Sequence, residues 1–177
     1  MDSNDSVDRA EQQPPRGVIL VGVQKGLPDD VLREAARLAR DLGEDLVCAH
    51  VDLERYTVGE KLDGGVLSAS IDPDSPDDAE GDFDAALAAH IDDVLAGTGV
   101  EWTGRELAGD PAHALGRLAD AVHARYIVVG TREASVRETL REFFQGSVAS
   151  HLAHRQRRPV LVVPLSPVTD GRALPWE

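Results

Sequence analysis

Residues 17–23 read Gly-Val-Ile-Leu-Val-Gly-Val, a continuous apolar run rich in β-branched side chains. A strand with one wet face alternates, whereas a strand covered on both faces reads as such a run, so this segment predicts a central strand of a parallel sheet. Shorter runs of the same kind recur at 46–51, 126–130 and 159–164, and residues 100–107 alternate weakly as a further strand. Helical patterns fill the spaces between them. Val31, Leu32, Ala35, Ala36, Leu38, Ala39 and Leu42 share one face of a helix, with Arg33, Glu34, Arg37, Arg40 and Asp41 opposite and Gly43 placed to end it. Phe83, Leu87, Ala88, Ile91, Val94 and Leu95 mark a second helix, and residues 112–123 a third, entered through Asp110 as N-cap and Pro111 at the first helical position. Five strands alternating with four helical regions, joined by right-handed crossovers, make a doubly wound parallel α/β domain. Any ligand site then lies at the carboxyl ends of the strands, in the loops after Val23, Val51, Leu107 and Gly130.

The remaining stretches lack this period. Residues 1–15 are polar and acidic and end in Pro14-Pro15, which reads as a disordered lead-in before a single domain over 16–164. Residues 54–81 carry Gly64-Gly65, Pro73 and Pro76, and seven acids fall between Asp72 and Asp84, so this part reads as a long acidic loop insertion. Residues 165–177 read as a Pro-rich tail. Asp and Glu outnumber Lys and Arg by 32 to 18, a formal charge of −14, and such a field disfavours nucleic acid and anionic membrane surfaces. No apolar run approaches the roughly 20 residues of a membrane span, and the N-terminal residues lack the basic and apolar regions of a signal peptide, so a cytoplasmic location is expected. The single Cys48 sits inside an apolar strand and reads as a buried small hydrophobe.

The segment from Thr131 to Arg158 is the most informative. Ser135 and Glu138 have the spacing of a capping box, and Val136, Leu140, Phe143 and Phe144 repeat at helical intervals. Gly146 interrupts that helix, and Ser147 caps another running to about 157.

Taken with residues 18–23, 46–51 and Gly109-Asp-Pro-Ala112, the phrases Ile127-Val-Val-Gly-Thr-Arg132, Gly146-Ser-Val148 and Pro159-Val-Leu-Val-Val-Pro164 resemble the universal stress protein family. The resemblance spans residues 17–164, and the run from Gly109 to Pro164 is its specific part. It implies a flavodoxin-like sheet, also described as adenine nucleotide alpha hydrolase-like, with strand order 3-2-1-4-5. It further implies a homodimer formed through the last strand, residues 159–164, with which Pro164 as the end of an edge strand agrees. One branch of the family binds ATP through a loop of form Gly-x2-Gly-x9-Gly-Ser/Thr together with an Asp after the first strand; another branch lacks the motif and binds none. The chemistry of such a loop is intelligible. Glycines let backbone N–H groups approach phosphate oxygens, and a Gly-Ser at a helix start adds free donors, a hydroxyl and the positive end of the helix dipole.

By that resemblance the candidate nucleotide cleft comprises Val23, Gln24, Val51, Val129, Gly130, Gly146, Ser147 and Val148. Two positions depart from the pattern. Glu133 stands where the second glycine is expected, with three extra residues between Gly130 and Gly146, and Gln24 stands where the Asp is expected. A carboxylate about 4 Å from a phosphate charge would be repelled by roughly 4 kcal/mol at an effective dielectric near 20, enough to cancel several hydrogen bonds. The longer loop alternatively carries Glu133 away and brings Arg132 or Arg137 inward. The cofactor is therefore either none or ATP, and in the first case Gly130 and Gly146 only punctuate strand and helix while Ser147 is an N-cap.

Other residues carry less. His50, at the end of the second strand where the cleft opens, reads as a partly buried packing residue, and Lys25 suits either a phosphate or a structural turn. His151 and His154 lack a third metal ligand, and the acids after Asp72 lack a calcium-loop pattern, so no metal is assigned. No nucleophile elbow, His-Glu-x-x-His or Walker loop is present, so no catalytic residue is assigned. Two functions remain: a non-catalytic, dimeric stress-response module with an altered cleft, or a nucleotide-binding protein with slow ATPase activity. A flavodoxin or a response-regulator receiver fits poorly, because residues 24–28 are not a hydroxyl-rich phosphate loop and the receiver's Asp and Lys positions fall near Gly109 and Pro164.

Overall fold

In a computed structural model, which describes residues 16–26, 28–61, 64–70, 83–131 and 148–165, the central apolar run becomes the middle strand of a five-stranded sheet. The elements in chain order are β1 (Val18–Val23), α1 (Asp30–Leu42), β2 (Asp45–Asp52), β3 (Arg55–Glu60), β4 (Val66–Ser70), α2 (Ala85–Leu95), β5 (Trp102–Ala108), α3 (Pro111–Ala121), β6 (Tyr126–Gly130), α4 (Val148–Arg155) and β7 (Val160–Val163). The sheet has order β5-β2-β1-β6-β7, with every pairing parallel. Counting only its own strands, this is the expected 3-2-1-4-5.

Alternation along the strands sorts the core into two layers. Ile19, Val21 and Val23 of β1 face α1 and α2 together with Leu46, Cys48 and Val128. Leu20 faces the other way, with Val47, Ala49, Leu107, Ile127 and Val129, into a layer closed by Leu115 and Leu118 of α3 and Leu152 of α4. The helix boundaries follow local chemistry. Gly43 ends α1 at φ 69°, its N–H returning to the Ala39 and Arg40 carbonyls. Asp110 caps α3 by accepting from the His113 N–H at 2.8 Å, with Pro111 at the start. That helix stops two residues short of the expected 123, where His123 turns to φ 51°.

The stretch 54–81 is not simply a loop. Its first part is an antiparallel hairpin of β3 and β4, with the register shifted between Thr57 and Gly59. Val66 packs into the α3 and α4 layer, and the Thr57 hydroxyl donates to the Ala108 carbonyl at 3.3 Å, fixing the hairpin beside β5. Its strand character is weak in sequence because only one face is covered, and Tyr56, Val58 and Leu67 on the other stay exposed between charged neighbours. The expected lead-in at 1–15, the acidic part of the insertion at 71–82, the helix expected from Ser135 and the tail beyond Leu165 lie outside the described residues.

Candidate functional site

The carboxyl ends of β1, β2, β5 and β6 meet at one edge of the sheet. Of the candidate residues there, Val51, Val129 and Val148 come together in the α3 and α4 layer, Val129 buried and the other two half-buried. Val23 is buried in the opposite layer, beside Val31 of α1. Gln24 is exposed at the start of the loop after β1. Gly146, Ser147, Glu133, Arg132 and Arg137 lie outside the described residues.

Gly130 has a packing role that the sequence did not reveal. A Cβ there would lie 2.9 Å from Leu165 Cδ1 and 3.0 Å from Val31 Cγ2, distances that side chains in a packed core do not tolerate without shifting. Leu165 is held in that position. Its N–H donates to the Thr131 hydroxyl at 2.8 Å, while the Thr131 N–H donates to the Val163 carbonyl. The first glycine of the motif thus lies in a packed contact, where a side chain would require Leu165 to shift.

A group of charged side chains occupies the α1 and α2 side of the same edge. His50 and Glu106 are cross-strand partners in the β2–β5 register, and His50 Nδ1 lies 2.6 Å from Glu106 Oε1. The hydrogen bond to Glu106 raises the His50 pKa, with burial opposing it. Glu106 Oε2 is buried with no partner among the described residues. Beside this pair, Lys25 Nζ sits 2.8 Å from Asp84, which also caps α2 by accepting from the Leu87 N–H. The Asp84 bond raises the lysine pKa and lowers that of Asp84. Lys25 therefore serves a structural contact here, and His50 has a specific acid partner rather than apolar packing alone. Sequence reasoning missed Glu106. The available signal was an acid in a strand predicted to lie beside His50, but only the parallel register of β2 and β5 puts the two face to face. Among the described residues no three His, Cys, Asp or Glu are arranged to hold a metal ion, and no helix is long and apolar enough to cross a membrane.

The family comparison agrees with this arrangement of elements: the model of the universal stress protein family matches residues 16–164. The chain belongs to the universal stress protein family. Solved structures of the family share its fold. One, a universal stress protein in complex with cAMP, is 22% identical, with a TM-score of 0.55 over 86% of this chain and 99% of that one. A universal stress protein from Archaeoglobus fulgidus in complex with dAMP is also 22% identical, with a TM-score of 0.52 over 83% and 97%. A universal stress protein from Lactobacillus plantarum is 16% identical, with a TM-score of 0.51 over 85% and 99%. At these identities the likeness is one of fold. No curated protein sequence matches the chain. Within the family fold, the charged group at the β2 and β5 ends and the wedge of Leu165 against Gly130 are features of this chain's own residues.

Proposed function

We propose that this universal stress protein is a cytoplasmic, non-catalytic stress-response module that dimerises through residues 159–164 and whose altered nucleotide cleft holds ATP only weakly. The observation that carries the reading is the charge at the carboxyl edge. Asp52, Asp84, Glu106 and Asp110 stand there with Lys25 and His50, and both cations are already engaged by acids of the group. A triphosphate entering this edge meets carboxylates at short range on a chain of formal charge −14, and each unit-charge pair at about 4 Å costs roughly 4 kcal/mol at an effective dielectric near 20. Gln24 and Glu133, at the positions where the ATP-binding branch keeps Asp and Gly, point the same way. The dimer reading is supported by β7, an edge strand with Leu161 and Val162 both exposed.

A second reading keeps an adenine nucleotide on Gly130, Gly146, Ser147 and Val148. It is favoured by the cAMP and dAMP complexes of the two structural relatives. The charge at this edge ranks the ligands, since a phosphodiester with one negative charge meets less repulsion than a triphosphate. Isothermal titration with ATP, AMP and cAMP decides between the readings. The first expects no ATP binding tighter than about millimolar, roughly 4 kcal/mol. Micromolar ATP binding that Gly146→Asp abolishes sinks it.

A further inference from the structure

His50 stands level with Val23, the last residue of β1, on one side and with Glu106 of β5 on the other. The pair therefore sits where the crevice of a doubly wound sheet opens. Stability alone does not account for Glu106 in that place. Its side chain is 14% exposed, one carboxylate oxygen accepts from His50 Nδ1 at 2.6 Å, and the other is buried with no partner among the described residues. A half-satisfied carboxylate is a poor stabiliser, because an apolar pair of similar volume avoids the desolvation altogether. What the arrangement does accomplish is to fix the imidazole. An ionised carboxylate only accepts, so Nδ1 carries the proton and Nε2 is the nitrogen left to change state. Nε2 has no partner among the described residues and is not sealed from solvent, on a side chain 21% exposed.

With Nδ1 committed, Nε2 has two states of opposite sense. In the neutral ring it is a bare lone pair, which repels an anion; in the imidazolium it is a charged N–H donor, which attracts one. We propose that His50 Nε2 is a proton-gated contact for a singly charged phosphodiester at this edge, with Glu106 as the residue that positions it. The charge of the ligand follows from the neighbours. Lys25, in the loop after β1, is drawn to Asp84 at the start of α2 at 2.8 Å. At the start of α1, Asp29 is held by Arg33 at 2.8 Å and by His90 at 3.0 Å, and Asp30 beside it is exposed. One imidazolium thus meets one negative charge, and each further charge on a ligand meets Asp52, Asp84 and Glu106 without a cation in return. The proton gate has a definite direction. The hydrogen bond to Glu106 favours the charged ring most and Asp52 adds to it, while burial and Lys25 oppose, and the His50 pKa lies above the ordinary 6.5. The contact is present in mildly acidic solution and is lost as pH rises through the folded-state value.

This inference rests on the second reading above only for the pocket that holds the rest of a nucleotide. It is tested with the full chain by isothermal titration with cAMP from about pH 5.5 to 9, across the range in which histidine changes charge. AMP is unsuited as the probe, because its phosphate has a second pKa near ~6 and titrates in the same range. Affinity is expected to be level at the acid end and to fall at least ~10-fold by the alkaline end. His50→Gln keeps a neutral donor that does not titrate, so it should bind weakly and without slope. Glu106→Gln should move the fall to lower pH while keeping the affinity of the acid end, a change that a merely structural pair would not produce. A wild-type affinity independent of pH, or a His50→Gln chain with the wild-type slope, overturns the inference. If that level binding is still abolished by Gly146→Asp, the nucleotide reading stands and the role of His50 fails. If cAMP binds at no pH, the nucleotide reading fails and His50 is judged by the NMR titration of its ring with dimethyl phosphate. A rise in its pKa on adding dimethyl phosphate sustains the contact, and no response overturns it.

Discussion

Gly130→Ala separates a glycine kept for packing from one kept for a phosphate. The substitution puts a methyl carbon 2.9 Å from Leu165 Cδ1 and 3.0 Å from Val31 Cγ2. Gly130 is not among the positive-φ glycines, so alanine adopts the backbone and the change is one of volume alone. Val31 is fully buried in the α1 layer and has nowhere to move, so Leu165 must yield and with it the contact over the end of β6. Overpacking of this kind costs about 1–3 kcal/mol. The smaller conformational freedom of alanine in the unfolded chain returns about 0.4–1 kcal/mol, leaving a net loss of about 0–2.6 kcal/mol, centred near about 1.3 kcal/mol. For a domain of this size the central value is a fall in Tm of about 3–5 °C. Urea unfolding of the wild type, Gly130→Ala, Leu165→Ala and the double variant is the assay. Because the clash is with Leu165, the double variant should regain stability relative to the sum of the single changes, with a coupling of about 1 kcal/mol. An additive cycle, with a coupling below about 0.3 kcal/mol, would refute the packing assignment whatever the net change in the single variant.

Two further outcomes follow from the same structure. The hydrogen bond that His50 donates to Glu106 raises the His50 pKa above the ordinary 6.5, so the pair's stabilisation is fully present below about pH 6.5 and is lost as pH rises through the folded-state value. Glu106→Gln should therefore flatten the fall in urea midpoint between about pH 6 and 9, and a profile of unchanged slope counts against the pair. Burial pushes the Cys48 thiol up to about 12, so Ellman's reagent should leave the native chain unmodified at about pH 8 and react at once after unfolding; labelling of the native chain within minutes would contradict that burial.

Most of the framework was legible in the residues because it rests on local signals. The apolar run of β1, the amphipathic face of α1, Gly43 as its left-handed stop and Asp110-Pro111 as the start of α3 each express a preference within a few residues of chain. The hairpin was not legible, since β3 and β4 cover one face and β3 mixes Arg55, Gly59 and Glu60 with its two large apolar residues. Of the candidate cleft residues, Val51, Val129 and Val148 share one apolar layer, which is a packing fact and not a ligand site, and Glu106 entered only through the pairing of β2 with β5. Contacts 56 residues apart carry no periodic signature, and the partner of His50 had to come from the sheet register.

The positions of the nucleotide-cleft pattern have different physical grounds, and this bears on how the cleft is judged. Gly130 ends β6 against Leu165 and Val31, so a side chain there displaces Leu165 whether or not a ligand binds, and its presence is weak information about nucleotide. The positions that do carry such information are those where the fold makes no demand. Gln24 is exposed, and an aspartate would fit there as easily, so its identity reflects what the loop contacts rather than what the core requires. Lys25 is likewise exposed, yet its ammonium is drawn to Asp84 at the start of α2 and is compensated before any phosphate arrives. An incoming triphosphate must then break that contact or bind without it, at an edge where Glu106 and Asp52 already add negative charge. A charge-neutralising pair tests this directly: Asp84→Asn with Glu106→Gln frees Lys25 and removes two carboxylates, so ATP affinity should rise by at least ~10-fold, about 1.4 kcal/mol. Unchanged affinity in a chain that remains folded would show that the edge charges do not govern the cleft.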